Sequence, residues 1–234
     1  MLNFLGIGAQ KSGTSWLYNT LANHPKIAFP GGKEIHFWNR PKGRDLQWYS
    51  HLFSDLHRVN GEITPAYGIL PTEIIQSIRA AFPYLRLIYL MRNPVERAWS
   101  SAKMALGRAE MLHSEASDQW FIDHFNSSGS LARSDYESCI RKWRSVYPSD
   151  QILLLRYEAI ELQPVNLINT CLNHLGLDDY FVPEDTELLT RKIFEGDGTG
   201  IRPRLLEALS NIYSSQIESL SRYLEQDFSD WKPA

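Results

Sequence analysis

The sequence predicts an α/β fold, a single P-loop-like domain in which a central parallel β-sheet is flanked by helices. Two observations carry this prediction. A short apolar strand at the start of the chain runs into a turn bounded by Gly8 and Gly13, and a helical pattern follows directly. Strand and helix patterns then alternate, as the crossover connections of a parallel sheet require. With 234 residues, 43% hydrophobic and 22% charged, the chain suits one domain, 1–234.

The elements follow from local patterns. Buried-strand patterns predict strands near 3–8, 58–62, 86–91 and 151–155. Helical patterns predict helices near 13–23, 71–81, 94–105, 135–146 and 164–175. Apolar residues recur at helical spacing between Leu205 and Leu224, which predicts a closing helix at about 203–225.

The segment at about 107–133 is polar and irregular in sequence. Trp120, Phe121 and Phe125 indicate one short amphipathic helix within it. Long insertions of this kind are surface connectors or lids over sites. We expect either an acceptor-side, lid-like insertion or a solvated connector.

The turn after the first strand has the features of an anion site. Backbone N–H groups at a helix N-terminus are unpaired and carry the positive end of the helix dipole. An ATP-type loop reads GxxxxGK[ST], but here Thr14 takes the lysine position and the lysine lies inside the loop, at Lys11. The pattern predicts a nucleotide-binding turn without the usual lysine, the alternative being a purely structural turn.

A second motif follows the strand at 86–91. Arg92 stands at the carboxyl end of that strand, Pro94 begins a helix, and Ser100 lies two turns into it. Ligands bind at the carboxyl ends of strands in open parallel sheets. Arg92 and Ser100 are therefore candidate ligand-binding residues.

Together, the two motifs resemble those of the sulfotransferases that use 3′-phosphoadenosine 5′-phosphosulfate (PAPS). Those enzymes carry KxGT in the first loop and RxPxxRxxS after a later strand, and this chain has Lys11-Ser12-Gly13-Thr14 and Arg92-Asn93-Pro94-Val95-Glu96-Arg97-Ala98-Trp99-Ser100. The resemblance implies PAPS as donor and PAP as product, without a metal. It implies that the 5′-phosphosulfate is bound by Gln10, Lys11, Ser12, Gly13, Thr14 and Ser15. It assigns the 3′-phosphate to Arg92 and Ser100.

Two further segments are similar to the heparan-type carbohydrate sulfotransferases and their bacterial relatives, which carry KExHFF and TPAY. They are Lys33-Glu34-Ile35-His36-Phe37-Trp38 and Gly61-Glu62-Ile63-Thr64-Pro65-Ala66-Tyr67, and the similarity covers roughly 3–180. It implies that Glu34 is the base for the acceptor. His36 lies two residues away, on the same face if the segment is extended, so it could orient the acceptor or act as base itself. The alternatives are a solvated Glu34 and a core histidine at His36. Trp38, Thr64 and Tyr67 are the candidate acceptor contacts.

The chain departs from the heparan-type pattern at two acceptor-side positions. Asn39 stands where those enzymes tend to have an acidic residue, and Ile63 where they have a lysine. The acceptor expected from the resemblance is a hydroxyl or amine of a carbohydrate or small molecule.

A third candidate phosphate site lies at Gly196 to Pro203. Three glycines give backbone freedom, and Arg202 adds a charge before a helix that starts at a proline. Related sulfotransferases close the 3′-phosphate with a Gly-rich basic loop in this region. The alternative is a plain turn.

Composition limits the partners and the cellular location. A net charge of −3 argues against nucleic acid as partner. The sequence shows neither a signal-type start nor an apolar run long enough to span a membrane, so we expect a cytoplasmic protein. Cys139 and Cys171 fit buried apolar positions better than a disulfide or metal site. The oligomeric state is open.

Two other classes compete with the sulfotransferase. A P-loop small-molecule kinase using Mg-ATP would need the lysine that Thr14 replaces, and it would have no use for a 3′-phosphate motif. A non-catalytic nucleotide-binding protein would be marked by loss of Lys11 or Glu34, and both are present.

Overall fold

The computed structural model describes residues 1–177, Leu189 and 199–232. Cα packing divides the chain into two compact units. The first consists of Met1–Met91 and Arg141–Ile193, and the second of Arg92–Ile140 and Phe194–Ala234. That both units belong to one domain stays a prediction.

A five-stranded parallel sheet forms the centre of the first unit. Its strands are β1 (Leu2–Gly8), β2 (Ile27–Ala28), β3 (Val59–Ile63), β4 (Arg86–Met91) and β5 (Ile152–Arg156), in the order β2-β3-β1-β4-β5. The central strands β1 and β4 are almost entirely buried, which explains their continuous apolar sequences. From β1 the chain passes to β2 and β3 on one side and then to β4 on the other. This reversal makes the carboxyl end of β1 the expected ligand-binding edge.

Ten α-helices have their bounds within the described part of the chain. They are α1 (Thr14–Ala22), α2 (Leu46–Leu52), α3 (Thr72–Ala81), α4 (Pro94–Arg108), α5 (Asp118–Asn126), α6 (Ser128–Ser134), α7 (Tyr136–Arg144), α8 (Ala159–Leu162), α9 (Pro164–His174) and α10 (Pro203–Leu224). Short 3₁₀ helices cover Pro65–Ile69, Ser149–Gln151 and Ser229–Trp231. Within the described residues, no helix combines the length and the apolar character needed to cross a bilayer.

The core of the first unit lies between the sheet and helices α1 and α9. It joins apolar residues of strands β1, β3 and β4 to those of the two helices, including Phe4, Trp16, Leu21, Ile63, Ile88, Leu90, Ile168 and Leu172. This packing fixes the position of α1, and therefore of the loop between β1 and α1. The α/β class with a central parallel sheet flanked by helices is confirmed.

The second unit packs α4, α5, α6 and α10 against one another. Helix α10 buries Leu205, Leu209, Tyr213, Ile217 and Leu220, the spacing that predicted a closing helix. Its observed range agrees with the predicted 203–225 to within one residue at the C-terminal end.

The short amphipathic helix predicted around Trp120, Phe121 and Phe125 is confirmed as α5, whereas α6, directly after it, was not predicted. Helices α5 and α6 occupy most of 118–134, and Phe121 and Phe125 are fully buried. The serine-rich stretch escaped prediction because Ser127 caps α6 through its hydroxyl, which accepts from the Ser130 N–H. A role of this segment as a lid over an acceptor stays a prediction.

Cys139 and Cys171 are both buried, as predicted, and neither forms a disulfide. Burial raises the pKa of the Cys171 thiol to about 12. Cys171 therefore behaves as a small core residue.

Candidate active site

The loop between β1 and α1 is fixed at its start and leads into a helix that no side chain caps. The Ala9 N–H donates to the Leu90 carbonyl at 2.8 Å, and Gly13 precedes the helix with φ 85°. A Cβ at Gly13 would lie 2.5 Å from Ile160 Cδ1, so the turn requires glycine. The N-terminal N–H groups of α1 thus face a turn that has no carboxylate or hydroxyl cap of its own.

Two loop side chains support an anion-binding role. Ser12 is fully buried, and its hydroxyl has no hydrogen-bond partner among the described residues. Lys11 has the left-handed conformation with φ 70° and is half-buried. A buried hydroxyl without a partner beside an uncapped helix N-terminus fits the phosphate of a nucleotide donor. Gln10, Thr14 and Ser15 complete the predicted loop.

The segment 33–38 is attached to the carboxyl end of β3. The Glu34 N–H donates to the Ile63 carbonyl at 3.0 Å, and the His36 N–H donates to Thr64 Oγ1 at 3.5 Å. Glu34 and His36 both have positive φ, 63° and 60°. Left-handed backbone at such residues costs on the order of 1–3 kcal/mol each and persists where surrounding contacts impose it.

The side chains of Glu34, His36 and Asn39 form a line. His36 Nε2 lies 3.4 Å from Glu34 Oε2, and His36 Nδ1 lies 3.1 Å from Asn39 Oδ1. An imidazolium, or the Nε2–H tautomer with the Asn39 amide reversed, satisfies both contacts. In both states His36 donates to Glu34, which leaves the carboxylate as the proton acceptor. This geometry favours Glu34 as base and His36 as its orienting partner.

Glu34 is half-solvated and also bonded to Lys33. Its side chain is 42% exposed, and one carboxylate oxygen accepts from the Lys33 ammonium group. His36 is 31% exposed, so it is not a core histidine. Both candidate catalytic side chains are therefore accessible to an acceptor.

A buried carboxylate that sequence reasoning missed lies behind this segment. Glu62, in β3, is fully buried, and its Oε1 accepts from Thr64 Oγ1 at 2.6 Å and from the Tyr67 hydroxyl at 2.8 Å. Its Oε2 accepts from the Tyr49 hydroxyl. Burial raises the pKa of Glu62, and the three donated bonds and the nearby His36 oppose that rise. An acidic residue in a buried strand, close in sequence to Thr64 and Tyr67, was the signal that could have identified it.

The acceptor contacts predicted at Thr64 and Tyr67 need correction. Both residues are fully buried, and both hydroxyls donate to Glu62. They cannot touch an acceptor directly in this structure. Trp38 is half-buried, its backbone N–H donates to the Tyr67 hydroxyl at 3.4 Å, and its ring remains a candidate contact.

Arg92 and Ser100 belong to the second unit. The Arg92 guanidinium is paired with Glu96, with Nη2 2.8 Å from Oε2, and the Glu96 side chain is 51% exposed. The Arg92 carbonyl accepts from the Tyr136 hydroxyl at 2.7 Å. Ser100 is half-buried, and it follows Glu96 by four residues and so lies on the same face of α4.

Arg202 holds the segment that precedes α5. Its guanidinium donates to Asp118 Oδ1 at 2.7 Å and to the carbonyls of His113 and Ala116, and it lies over the Phe121 ring. These bonds make Arg202 a weaker phosphate candidate than Arg92. The glycine-rich residues predicted beside it, 196–198, lie outside the described residues.

Within the residues that the structure describes, no group of three or more His, Cys, Asp and Glu side chains is arranged to hold a metal ion. Catalysis without a metal stays a prediction.

Comparison with known proteins identifies relatives of the chain. A family model described as "Sulfotransferase domain" matches residues 3–193. A membrane-associated sulfotransferase of Dictyostelium discoideum is 35% identical over 97% of this chain and 66% of its own length. A human heparan sulfate glucosamine 3-O-sulfotransferase is 28% identical over 73% of this chain and 51% of its own length. The chain thus spans between half and two thirds of these two relatives.

A solved structure agrees over the whole chain. The crystal structure of a sulfotransferase from Alicyclobacillus acidocaldarius matches with a TM-score of 0.78 and 26% identity, covering 99% of this chain and 98% of that one.

Proposed function

Because the chain belongs to the sulfotransferase-domain family, we propose that it transfers a sulfuryl group from PAPS to a hydroxyl or amine of a carbohydrate or small-molecule acceptor. One observation in the first unit carries this proposal. The anion-binding loop follows β1, and the Glu34–His36 pair is hydrogen-bonded to the end of the neighbouring strand β3. A donor-binding loop and a proton acceptor are thus attached to adjacent strands at the ligand-binding edge of a parallel sheet.

PAPS, when bound, supplies the sulfuryl group and leaves as PAP. The N-terminal N–H groups of α1, with Ser12, Thr14 and Ser15, suit the 5′-phosphate. Lys11 would stabilise the negative charge that develops on the leaving oxygen. Arg92 and Ser100 would bind the 3′-phosphate, and Arg202 would contribute only if it released Asp118.

The acceptor side needs a proton acceptor and a group that orients it. Glu34 would take the proton from the attacking hydroxyl or amine. His36 would hold the Glu34 carboxylate in place through its Nε2–H. The Trp38 ring offers an apolar face, which suits a sugar ring.

The cytoplasmic location and the partners belong to the same proposal. The Dictyostelium relative is named membrane-associated, so location requires a direct measurement by fractionation of the cells that produce the protein. The proposed partners are the donor and the small acceptor, without nucleic acid.

The proposed donor is tested by calorimetric titration with PAP, with ADP and Mg-ATP as comparison ligands. PAP should bind at least about tenfold more tightly than ADP, because only PAP carries the 3′-phosphate. Tighter binding of Mg-ATP would instead identify a kinase.

The transfer step is tested with radiolabelled PAPS and a panel of glucosamine-containing saccharides. Lys11→Ala should lower turnover by about 100-fold, the usual effect of losing one preorganised charged donor. Lys42→Ala removes the same charge from an exposed turn of the same unit and should leave turnover unchanged. Equal rates for both variants would remove Lys11 from the mechanism.

A further inference from the structure

We propose that Glu62 is a positioning residue, whose buried carboxylate orients the hydroxyls of Thr64 and Tyr67 so that they hold the backbone of the segment that carries Glu34 and His36. This inference rests on the proposed function, because the segment that Glu62 would position carries the proposed base Glu34. Glu62 itself does not contact the acceptor. The supporting observation is that the hydroxyls of Thr64 and Tyr67 each bond both Glu62 and a backbone N–H of the segment.

The carboxylate of Glu62 fixes the direction of the hydrogen bonds from Thr64 and Tyr67. An ionised carboxylate only accepts, so Thr64 and Tyr67 must each donate their single hydroxyl proton to Glu62 Oε1, over 2.6 Å and 2.8 Å. The lone pairs of both hydroxyl oxygens are then left to accept. They face two backbone N–H groups, that of His36 at 3.5 Å and that of Trp38 at 3.4 Å.

These two bonds hold the backbone of the segment that carries Glu34 and His36. They hold the backbone N–H groups of His36 and Trp38, two residues apart, and His36 has a left-handed backbone. A third bond, from the Glu34 N–H to the Ile63 carbonyl, attaches the same segment one residue away from Glu62. The segment is therefore held along its length from β3, and rotation of either hydroxyl would release one attachment.

Side chains from three parts of the chain surround the carboxylate of Glu62. Tyr49 faces Glu62 from α2, Tyr67 faces it from the 3₁₀ helix, and His36 is the ionisable group that interacts with it from the segment itself. Burial, followed by the charge of Glu62, raises the pKa of both phenols, which keeps them protonated as donors. Tyr49 bonds the other carboxylate oxygen, and its hydroxyl interacts with the Trp38 side chain rather than with the backbone of the segment.

This difference provides a matched pair of variants. Tyr67→Phe removes the hydroxyl that links Glu62 to the Trp38 N–H. Tyr49→Phe removes a hydroxyl from the same carboxylate without touching that link, and it keeps the ring that stacks on Phe37 at 4.4 Å. Both variants remove one buried hydroxyl, so a purely structural role would affect both alike.

The experiment measures amide hydrogen exchange, PAP affinity and turnover in the 234-residue chain. In Tyr67→Phe we expect exchange at the Trp38 amide to rise about tenfold relative to the amides of β1, turnover to fall by a similar factor, and PAP affinity to stay within about twofold. Tyr49→Phe should leave exchange at the Trp38 amide unchanged, because its hydroxyl bonds no backbone group of the segment. Equal effects of both variants, or no effect of Tyr67→Phe on the Trp38 amide, would overturn the positioning role.

Glu62→Gln and Thr64→Ser supply a second comparison if Tyr67→Phe does not fold. Glu62→Gln replaces one acceptor oxygen by a donor and should accelerate exchange at the His36 or Trp38 amide. Thr64→Ser keeps the hydroxyl and should preserve exchange at His36, whereas Thr64→Val should accelerate it. Unchanged exchange in both Glu62→Gln and Thr64→Val would contradict the proposal.

The amide measurement needs no acceptor, so failure of the two proposals can be told apart. If the parent protein transfers no sulfuryl group to any saccharide of the panel, the proposed function fails while the exchange data still test the positioning. If it transfers the group and Tyr67→Phe does so equally well, only the positioning role fails.

Discussion

Two candidate regions differ in how they are held: the segment that carries Glu34 and His36 in the first unit, and Arg92 in the second unit. Glu34 and His36 stand on a backbone fixed from behind by buried hydroxyls and a buried carboxylate. Arg92 is paired instead with Glu96, a half-exposed carboxylate on the next helical turn. The proposed acid–base pair is therefore preorganised, whereas the proposed phosphate binding at Arg92 would require an exchange of partners.

Loss of the base should have the largest effect. Glu34→Gln keeps the shape of the side chain but cannot accept the acceptor proton, so turnover should fall by about 100- to 10,000-fold. PAP affinity, measured by calorimetry, should not change. A rate that survives in Glu34→Gln but falls in His36→Gln would transfer the base role to His36.

The next largest effect should come from Arg92. Arg92→Ala removes a charged donor to the 3′-phosphate and should weaken PAP binding by about 10- to 100-fold, the equivalent of about 1.5–3 kcal/mol, while ADP binding stays the same. Arg108→Ala removes the same charge from the exposed end of α4 and serves as control. An equal loss of ADP binding would mean that Arg92 does not recognise the 3′-phosphate.

The buried carboxylate should make stability depend on pH. Burial holds the folded-state pKa of Glu62 above its ordinary value of 4.5, so between pH 4.5 and that raised pKa the folded protein keeps a proton that the unfolded chain releases. Below pH 4.5, Glu62 makes its full contribution to the free energy of unfolding. This contribution declines as pH rises through the folded-state pKa. The total decline is about 1.4 kcal/mol for each unit by which the folded-state pKa exceeds the unfolded-state pKa.

Glu62→Gln cannot titrate and should lack this decline. Urea unfolding from pH 4.5 upward should therefore show the variant gaining stability relative to the parent protein. Parallel curves for both proteins would show that Glu62 has the same pKa in the folded and unfolded states.

The smallest effect should come from Glu96. Glu96→Gln removes the charge that competes with phosphate for Arg92, and an exposed pair four residues apart on a helix is worth only about 0.3–0.5 kcal/mol. PAP affinity should rise about twofold, with ADP affinity unchanged. Weaker PAP binding would instead show that Glu96 holds Arg92 in its binding orientation.

Sequence patterns were sufficient to predict the strands and helices that local apolar periodicity and turn residues determine. The strands β1, β3, β4 and β5 and the long helices appear where apolar period and turn residues placed them. Helix α2 and the two-residue strand β2 were missed, because the exposed α2 has little apolar pattern and β2 depends on pairing with β3. The bond from Tyr49 to Glu62 could not be predicted, since α2, the helix that carries Tyr49, was itself missed.

The carboxyl end of β3 makes three attachments through three consecutive residues. Glu62 binds the hydroxyls, the Ile63 carbonyl binds the Glu34 N–H, and the Thr64 N–H donates to the Gly6 carbonyl at 3.0 Å. Deletion of one residue in β3 would shift all three at once and turn the Glu62 side chain to the opposite face of the sheet. Insertions at the exposed Lys42–Gly43 turn would disturb none of them. We therefore expect changes in chain length to be tolerated at this turn and not in β3.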